Sequence, residues 1–189
     1  MTELELWKQN ANQVLQKEAM RDAILKPFFG VLEFVHEVDW QGACHAITGI
    51  LFVLFREKNV PAEMIIGEAQ GDSIVFDHSW IEIDGQVYDA AITKTLIAGY
   101  SFPPVLKGAD LRTKQVSTIR YGVKSGHAAD EHAQMILSTA FGAYMDNFDG
   151  YKRGLWGLTR EIAERSGLYI NVGRIRDKYY HSQWNQKSD

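Results

Sequence analysis

The sequence predicts an α+β fold in which a buried helix packs on an antiparallel sheet, with extra helices at both ends of the chain. The chain has 189 residues, of which 46% are hydrophobic, so it can bury a substantial core. The run from Ala43 to Glu57 is apolar nearly all round, which is typical of a central helix. After Pro61 the apolar residues alternate with a period of two, which indicates strands. We expect one domain over residues 1–189.

The first part of the chain has the pattern of a long amphipathic helix. Thr2 followed by Glu5 fits a capping box at its start. Apolar residues then recur at helical spacing, and we expect Pro27 to end the helix because proline cannot donate the next backbone hydrogen bond. The stretch over residues 28–40 is apolar and fits either a helix or a strand.

The middle of the chain has the pattern of a sheet. Asp84-Gly85 predicts a two-residue hairpin turn, because both central residues of a type I′ turn need a positive φ. Pro103-Pro104 indicates a loop before the last strand. The predicted strands are Met64–Ile66, Ser73–Ile83, Gln86–Ala90 and Val116–Val123.

The last third of the chain is predicted to be helical. One apolar stripe from Met135 to Phe148 predicts a helix that ends at Asp149-Gly150. A shorter helix is predicted over residues 151–167.

The charge and cysteine content exclude several classes of protein. The acidic N-terminus and the lack of a long uncharged apolar run argue against an export signal or a membrane partner, and we expect a cytoplasmic protein. The net charge is −4, but residues 150–189 hold eight Lys and Arg against four Asp and Glu. This basic segment could dock an acidic partner, although no nucleic-acid motif accompanies it and a nucleic-acid partner is not expected.

Cys44 is the chain's one cysteine, so it cannot form an internal disulfide. It lies in the predicted first turn of the buried helix. Unpaired backbone N–H groups and the positive end of the helix dipole favour a thiolate at that position. A lone cysteine beside an apolar helix is more often a packing residue, so its importance depends on its partners.

The predicted hairpin supplies such partners. A two-residue turn at Asp84-Gly85 places Trp80 opposite Asp89 and puts Asp89 diagonal to His78 on the same face. Diagonal neighbours have Cα atoms about 7–8 Å apart, within reach of a carboxylate–imidazole hydrogen bond. Asp89 can then fix one ring nitrogen of His78 while the other takes a proton from Cys44. The sequence therefore predicts a catalytic triad.

Four segments in order carry a family resemblance. They are Gly42-Ala43-Cys44, Asn59-Val60-Pro61-Ala62-Glu63-Met64-Ile65-Ile66-Gly67, His78-Ser79-Trp80-Ile81-Glu82-Ile83-Asp84-Gly85 and Val87-Tyr88-Asp89. Together they resemble the core of the transglutaminase-like superfamily of papain-fold cysteine enzymes, over about residues 41–91. The nearest small relatives suggested are bacterial cysteine peptidases that cleave leader peptides in lasso-peptide pathways. The resemblance implies that Cys44 is the nucleophile, His78 the base and Asp89 the orienting carboxylate.

The expected activity is cysteine-dependent acyl transfer that cleaves or modifies an amide of a protein or peptide substrate, without a cofactor. Peptidase, glutamine deamidase and transglutaminase reactions all fit. Two alternatives stay open: acyl transfer from acetyl-CoA of the arylamine N-acetyltransferase kind, and a catalytically silent binding module on the same scaffold.

Other residues have weaker assignments near the triad. The backbone N–H of Cys44 could stabilise the oxyanion, and Gln41 is a side-chain candidate by proximity. Trp40 and Trp80 could wall a groove for the acyl group. No metal site is predicted, because His127 and His132 are five residues apart, which spreads them around a helix.

Overall fold

The computed structural model describes residues 1–97, 99–126 and 130–188. Over these residues the protein is α+β, as predicted, with helices packed on a largely antiparallel sheet. The helices are α1 (Glu3–Val14), α2 (Arg21–Glu37), α3 (Cys44–Glu57), α4 (Glu131–Ser138), α5 (Phe141–Asp146), α6 (Gly154–Arg165) and α7 (Val172–Tyr179). The strands are β1 (Ala62–Gly71), β2 (Ile74–Ile83), β3 (Gln86–Asp89), β4 (Val105–Leu106), β5 (Ala109–Asp110), β6 (Arg120–Val123) and β7 (Asn185–Lys187).

The N-terminal region forms two helices, so the prediction of one helix ending at Pro27 is wrong. The predicted capping box of Thr2 and Glu5 is present at the start of α1. The first helix ends at Val14, and Pro27 lies inside α2. A proline inside a helix costs about 3 kcal/mol. Burial of the neighbouring apolar side chains outweighs that cost, because most of α2 after Ile24 is buried.

Helix α3 is the central helix, as predicted. Every residue from Ala46 to Phe55 is buried. The helix packs against β1 and β2 on one side and against α2 and α6 on the other. Because its whole surface is covered, its direction is fixed, and the position of Cys44 at its first turn is fixed with it.

The sheet has the strand order β5-β4-β3-β2-β1-β6, and β7 pairs in parallel with the edge of β1 that β6 also uses. Asp84 and Gly85 have φ values of 50° and 71°, as the type I′ turn requires. Ile81 pairs with Tyr88 and Ile83 with Gln86, which confirms the predicted hairpin register.

The later part of the chain departs further from the prediction. The expected helix from Met135 to Phe148 is two helices, α4 and α5, interrupted at Thr139 and Ala140. The interruption lets Ile136 pack with Ile66 beside the sheet while Phe141 packs in the main core. The predicted fourth strand is present as β6, which is shorter than predicted.

Within the described ranges, no helix is long and apolar enough to cross a bilayer.

Candidate active site

Helix α3 and the β2–β3 hairpin bring Cys44, His78 and Asp89 together. Cys44 is the first residue of α3, His78 lies in β2 and Asp89 ends β3. The Nε2 atom of His78 lies 2.6 Å from Oδ2 of Asp89. Cys44 and His78 line the same cavity, and Cys44 is one of the groups that raise the pKa of this imidazole. Because Nε2 is engaged by the carboxylate, Nδ1 is the ring nitrogen left for the sulfur.

Asp89 is held by four hydrogen bonds. Its Oδ1 accepts from the backbone N–H groups of Ala91 at 3.0 Å and Ile92 at 3.1 Å. Its Oδ2 accepts from His78 and from the Tyr121 hydroxyl, which lies 2.9 Å away. The residue is only 1% exposed, and a buried carboxylate needs such donors to offset its lost hydration. The carboxylate therefore has one orientation, which fixes the ring of His78.

Tyr121 is a site residue that the sequence did not single out. It lies in β6, and its partner in the β1 ladder is Ala69, far from the hairpin in sequence. A strand was predicted over this segment, but its pairing partner was not. Without the pairing of β6 with β1, the contact between the Tyr121 hydroxyl and Asp89 could not be predicted from the sequence.

The electrostatic environment favours a charged imidazole. Burial by itself lowers the pKa of His78, but the carboxylate of Asp89 and the sulfur of Cys44 outweigh it and raise the pKa to about 10. An imidazolium at neutral pH stabilises a neighbouring thiolate, which is the nucleophilic form of cysteine. The arrangement is therefore suited to a thiolate–imidazolium pair.

His45, the residue after Cys44, has its pKa shifted in the opposite direction to that of His78. Burial and then the positive charge of His78 lower its pKa to about 4, so the ring is neutral at pH 7. Its Nδ1 lies 2.6 Å from the hydroxyl of Ser79, which fixes the ring.

Two cavities meet at the start of α3. The Cys44 cavity has a volume of about 270 Å³ and is lined by residues that include Cys44, His78, Phe76, Asp77, Lys94 and Asp130. The aromatic cavity has a volume of about 670 Å³ and is lined by residues that include Trp40, Met135, Ile136, Ala143, Tyr144 and Phe148. Gly42, His45 and His132 line both. A substrate backbone crossing the nucleophile would have an apolar pocket on one side.

The other candidate residues differ in where they lie. Trp40 lines the aromatic cavity and contacts Phe148 edge to face at 5.8 Å.

Trp80 lines neither cavity, so the prediction that it walls a groove is wrong. It is completely buried, with its ring 6.5 Å from that of His78 and 5.0 Å from that of Tyr121. Gln41 is exposed and also lines neither cavity.

The first turn of α3 has free donors. Ala43 is the N-cap residue, and no side chain caps this end of the helix. The N–H groups of the first turn have no partner within the helix. The backbone N–H of Cys44 is therefore available to an oxygen bound beside the sulfur.

Metal binding has no support among the described residues, which contain no group of three or more His, Cys, Asp or Glu side chains able to hold an ion. His132 lines both cavities, and His127 lies outside the described residues.

The basic C-terminal segment is largely paired with acidic side chains. In the described part of the chain, six of its eight Lys and Arg form ion pairs. Their partners in the earlier part of the chain are Glu37, Glu57, Glu82 and Asp146. The charge asymmetry of the sequence is therefore mostly neutralised by folding.

Comparisons of this chain with protein-family models, with curated proteins and with solved structures found no match.

Proposed function

We propose that this protein is a cysteine-dependent acyl-transfer enzyme that cleaves or modifies an amide of a protein or peptide. The observation that carries the proposal is the buried 2.6 Å contact between His78 Nε2 and Asp89 Oδ2, with Cys44 lining the same cavity as the imidazole. A nucleophile, a base and a group that orients the base are the three roles that such chemistry needs.

The proposed reaction begins with attack of the Cys44 thiolate on the amide carbonyl carbon. A C–S bond forms, and the C=O π pair moves to the oxygen, where the backbone N–H of Cys44 donates a hydrogen bond. The C–N bond then breaks, and the imidazolium of His78 gives its proton to the leaving amine. Asp89 keeps the ring in place throughout.

The second half of the reaction resolves the thioester. His78, now neutral, takes a proton from water as the water oxygen attacks the acyl carbon, and the Cys44 thiolate leaves. A peptidase or a glutamine deamidase results. With an amine in place of water, the same steps give transamidation. Hydrolysis is the simpler assignment, because no separate amine site is evident in the described part of the chain.

The arrangement of the elements agrees with the proposed transglutaminase-like, papain-fold core. A buried helix begins with the cysteine, β1 follows it, and the adjacent strands β2 and β3 then carry the histidine and the aspartate, in the chain order Cys, His, Asp. The resemblance covers only this core. Helices α4 and α5 contribute walls of the cavities, but the helices at both ends of the chain carry no family signature.

The two alternatives have less support. Coenzyme A carries phosphates, but Lys94 is the only Lys or Arg among the described residues lining the Cys44 cavity, and Asp77 and Asp130 lie there as well. Lys94 is itself paired with Asp39 at 2.5 Å. A binding module that used the basic C-terminal segment would have to break its internal ion pairs.

The test is alkylation of Cys44 by iodoacetamide at about pH 6, followed by mass spectrometry. An ordinary thiol, with a pKa of about 8.5, is well under 1% ionised there, so an activated thiolate should react about 10²-fold faster than a small-molecule thiol. Cys44→Ala should take no label. Wild-type protein that reacts no faster than the small-molecule thiol would contradict the proposal.

A further inference from the structure

An oxyanion site normally has two donors, and the backbone N–H of Cys44 supplies one. The sequence candidate for a second, Gln41, is exposed and lines neither cavity. A second donor must come from a side chain that reaches the start of α3 from another element.

Tyr144 meets this requirement. It lies in α5 and lines the aromatic cavity together with Gly42 and Ala43, the two residues before the nucleophile. Its ring is half-buried and contacts Phe148 edge to face at 6.1 Å. Its hydroxyl makes no hydrogen bond to any described residue, so it can donate to a bound group.

The cavity that Tyr144 lines is also lined by the residues on either side of Cys44, Ala43 and His45. Burial first, and then the negative charge of the Cys44 thiolate, raise the pKa of Tyr144 well above 10. The phenol therefore keeps its proton at neutral pH and stays a hydrogen-bond donor. A neutral phenol on a cavity at the start of α3 is suited to donate to an oxygen on which negative charge develops.

We propose that Tyr144 is a catalytic residue that donates a hydrogen bond to the carbonyl oxygen of the substrate as Cys44 attacks. This assignment rests on the proposed function. As the C–S bond forms, the π pair moves to the oxygen, and the Tyr144 O–H and the Cys44 N–H stabilise the charge. When the C–N bond breaks, the π bond re-forms and the amine leaves with the proton of His78. Tyr144 keeps its own proton throughout.

Two electrophiles separate this role from a structural one. Acylation of Cys44 by p-nitrophenyl acetate passes through a tetrahedral oxyanion and releases p-nitrophenolate. Alkylation by iodoacetamide displaces iodide in one step and forms no oxyanion. Tyr144→Phe should lower the acylation rate constant by about 10²-fold, the effect of losing one such donor, and leave the alkylation rate unchanged.

Tyr151→Phe is the matched control. Tyr151 belongs to the same group of aromatic rings, since it contacts Trp40 at 5.9 Å and Phe148 at 6.4 Å, but it does not line the aromatic cavity. Both rates should match those of the wild-type protein.

The outcomes are distinguishable. Selective loss of acylation in Tyr144→Phe supports the proposal. Unchanged acylation overturns the proposal, because it means that Tyr144 does not contact the oxyanion. An equal loss of acylation and alkylation also overturns it, because it indicates a structural defect. Slow alkylation of the wild-type protein contradicts the proposed function itself, and it is seen before any Tyr144 variant is compared.

Discussion

The two ends of α3 each hold a buried carboxylate, and the two carboxylates are satisfied in different ways. At the N-terminal end, beside Cys44, Asp89 accepts from an imidazole, a tyrosine hydroxyl and two backbone N–H groups, all buried or partly buried. At the other end, Glu57 accepts from Arg174, Lys178 and the Tyr179 hydroxyl.

The difference lies in the positive partners. The side chains of Arg174 and Lys178 are about half exposed, and both are charged at any physiological pH. His78 has 4% of its side chain exposed and can gain or lose a proton. One end of α3 thus holds a helix through side chains of fixed charge, and the other holds a buried pair that can titrate.

The largest expected effect is that of Asp89→Asn. The amide NH₂ would donate to Nε2 of His78, which forces the proton onto Nδ1 and removes the base that faces Cys44. Iodoacetamide labelling at about pH 6 should fall by about 10²-fold, to the rate of an ordinary thiol. The free energy of unfolding, measured by urea denaturation, should fall by about 3–5 kcal/mol.

The pH dependence of this loss has a definite sign. The folded-state pKa of His78 is raised from 6.5 to about 10, so the pair stabilises the fold fully below 6.5 and loses that contribution as the pH rises to about 10. The difference between wild type and Asp89→Asn should shrink over that interval. Asp84→Asn, at the turn of the same hairpin, is the control, because Asn also accepts a positive φ. A difference that grew with pH would contradict the assignment.

Glu57→Gln should cause a smaller loss of stability, and the pH dependence of that loss should have the opposite sign. Burial raises the pKa of Glu57, but the hydrogen bonds from Lys178, Tyr179 and Arg174 outweigh it and lower the pKa below 4.5. The carboxylate therefore contributes stability above pH 4.5, and that contribution is lost as the pH falls through the folded-state pKa. The variant should lose about 1–3 kcal/mol at neutral pH and match wild type in acid. Labelling of Cys44 should be unchanged.

Tyr121→Phe should have the smallest effect. It removes one of four hydrogen bonds to Asp89 and leaves the contact with His78 intact. We expect a loss of about 1 kcal/mol in urea denaturation, with the labelling rate of Cys44 retained. A loss of labelling as large as that of Asp89→Asn would mean that Tyr121 takes part in the proton transfer.

Features that depend on neighbouring residues in the chain could be predicted from the sequence. The bounds of α3 and the register of the hairpin were predicted because both follow from local patterns, an apolar run in one case and a two-residue turn in the other. That register was enough to pair His78 with Asp89.

The rest depends on contacts between distant segments. Pro27 is tolerated because α2 is buried, and the helix break at Thr139 and Ala140 exists because two different clusters receive the flanking side chains. Tyr121 and Tyr144 reach the site only through the packing of β6 and α5. A periodicity of 3.6 or 2 carries no information about such partners.

The tight turn at Asp84-Gly85 also bears on the order of folding. Hairpins of this size close in about 1–10 μs, and His78 and Asp89 are only 11 residues apart in the chain. We expect the imidazole and its carboxylate to meet early. Cys44 should reach the imidazole only when α3 packs onto the sheet. During refolding, the reactive thiol should therefore form as one of the last events.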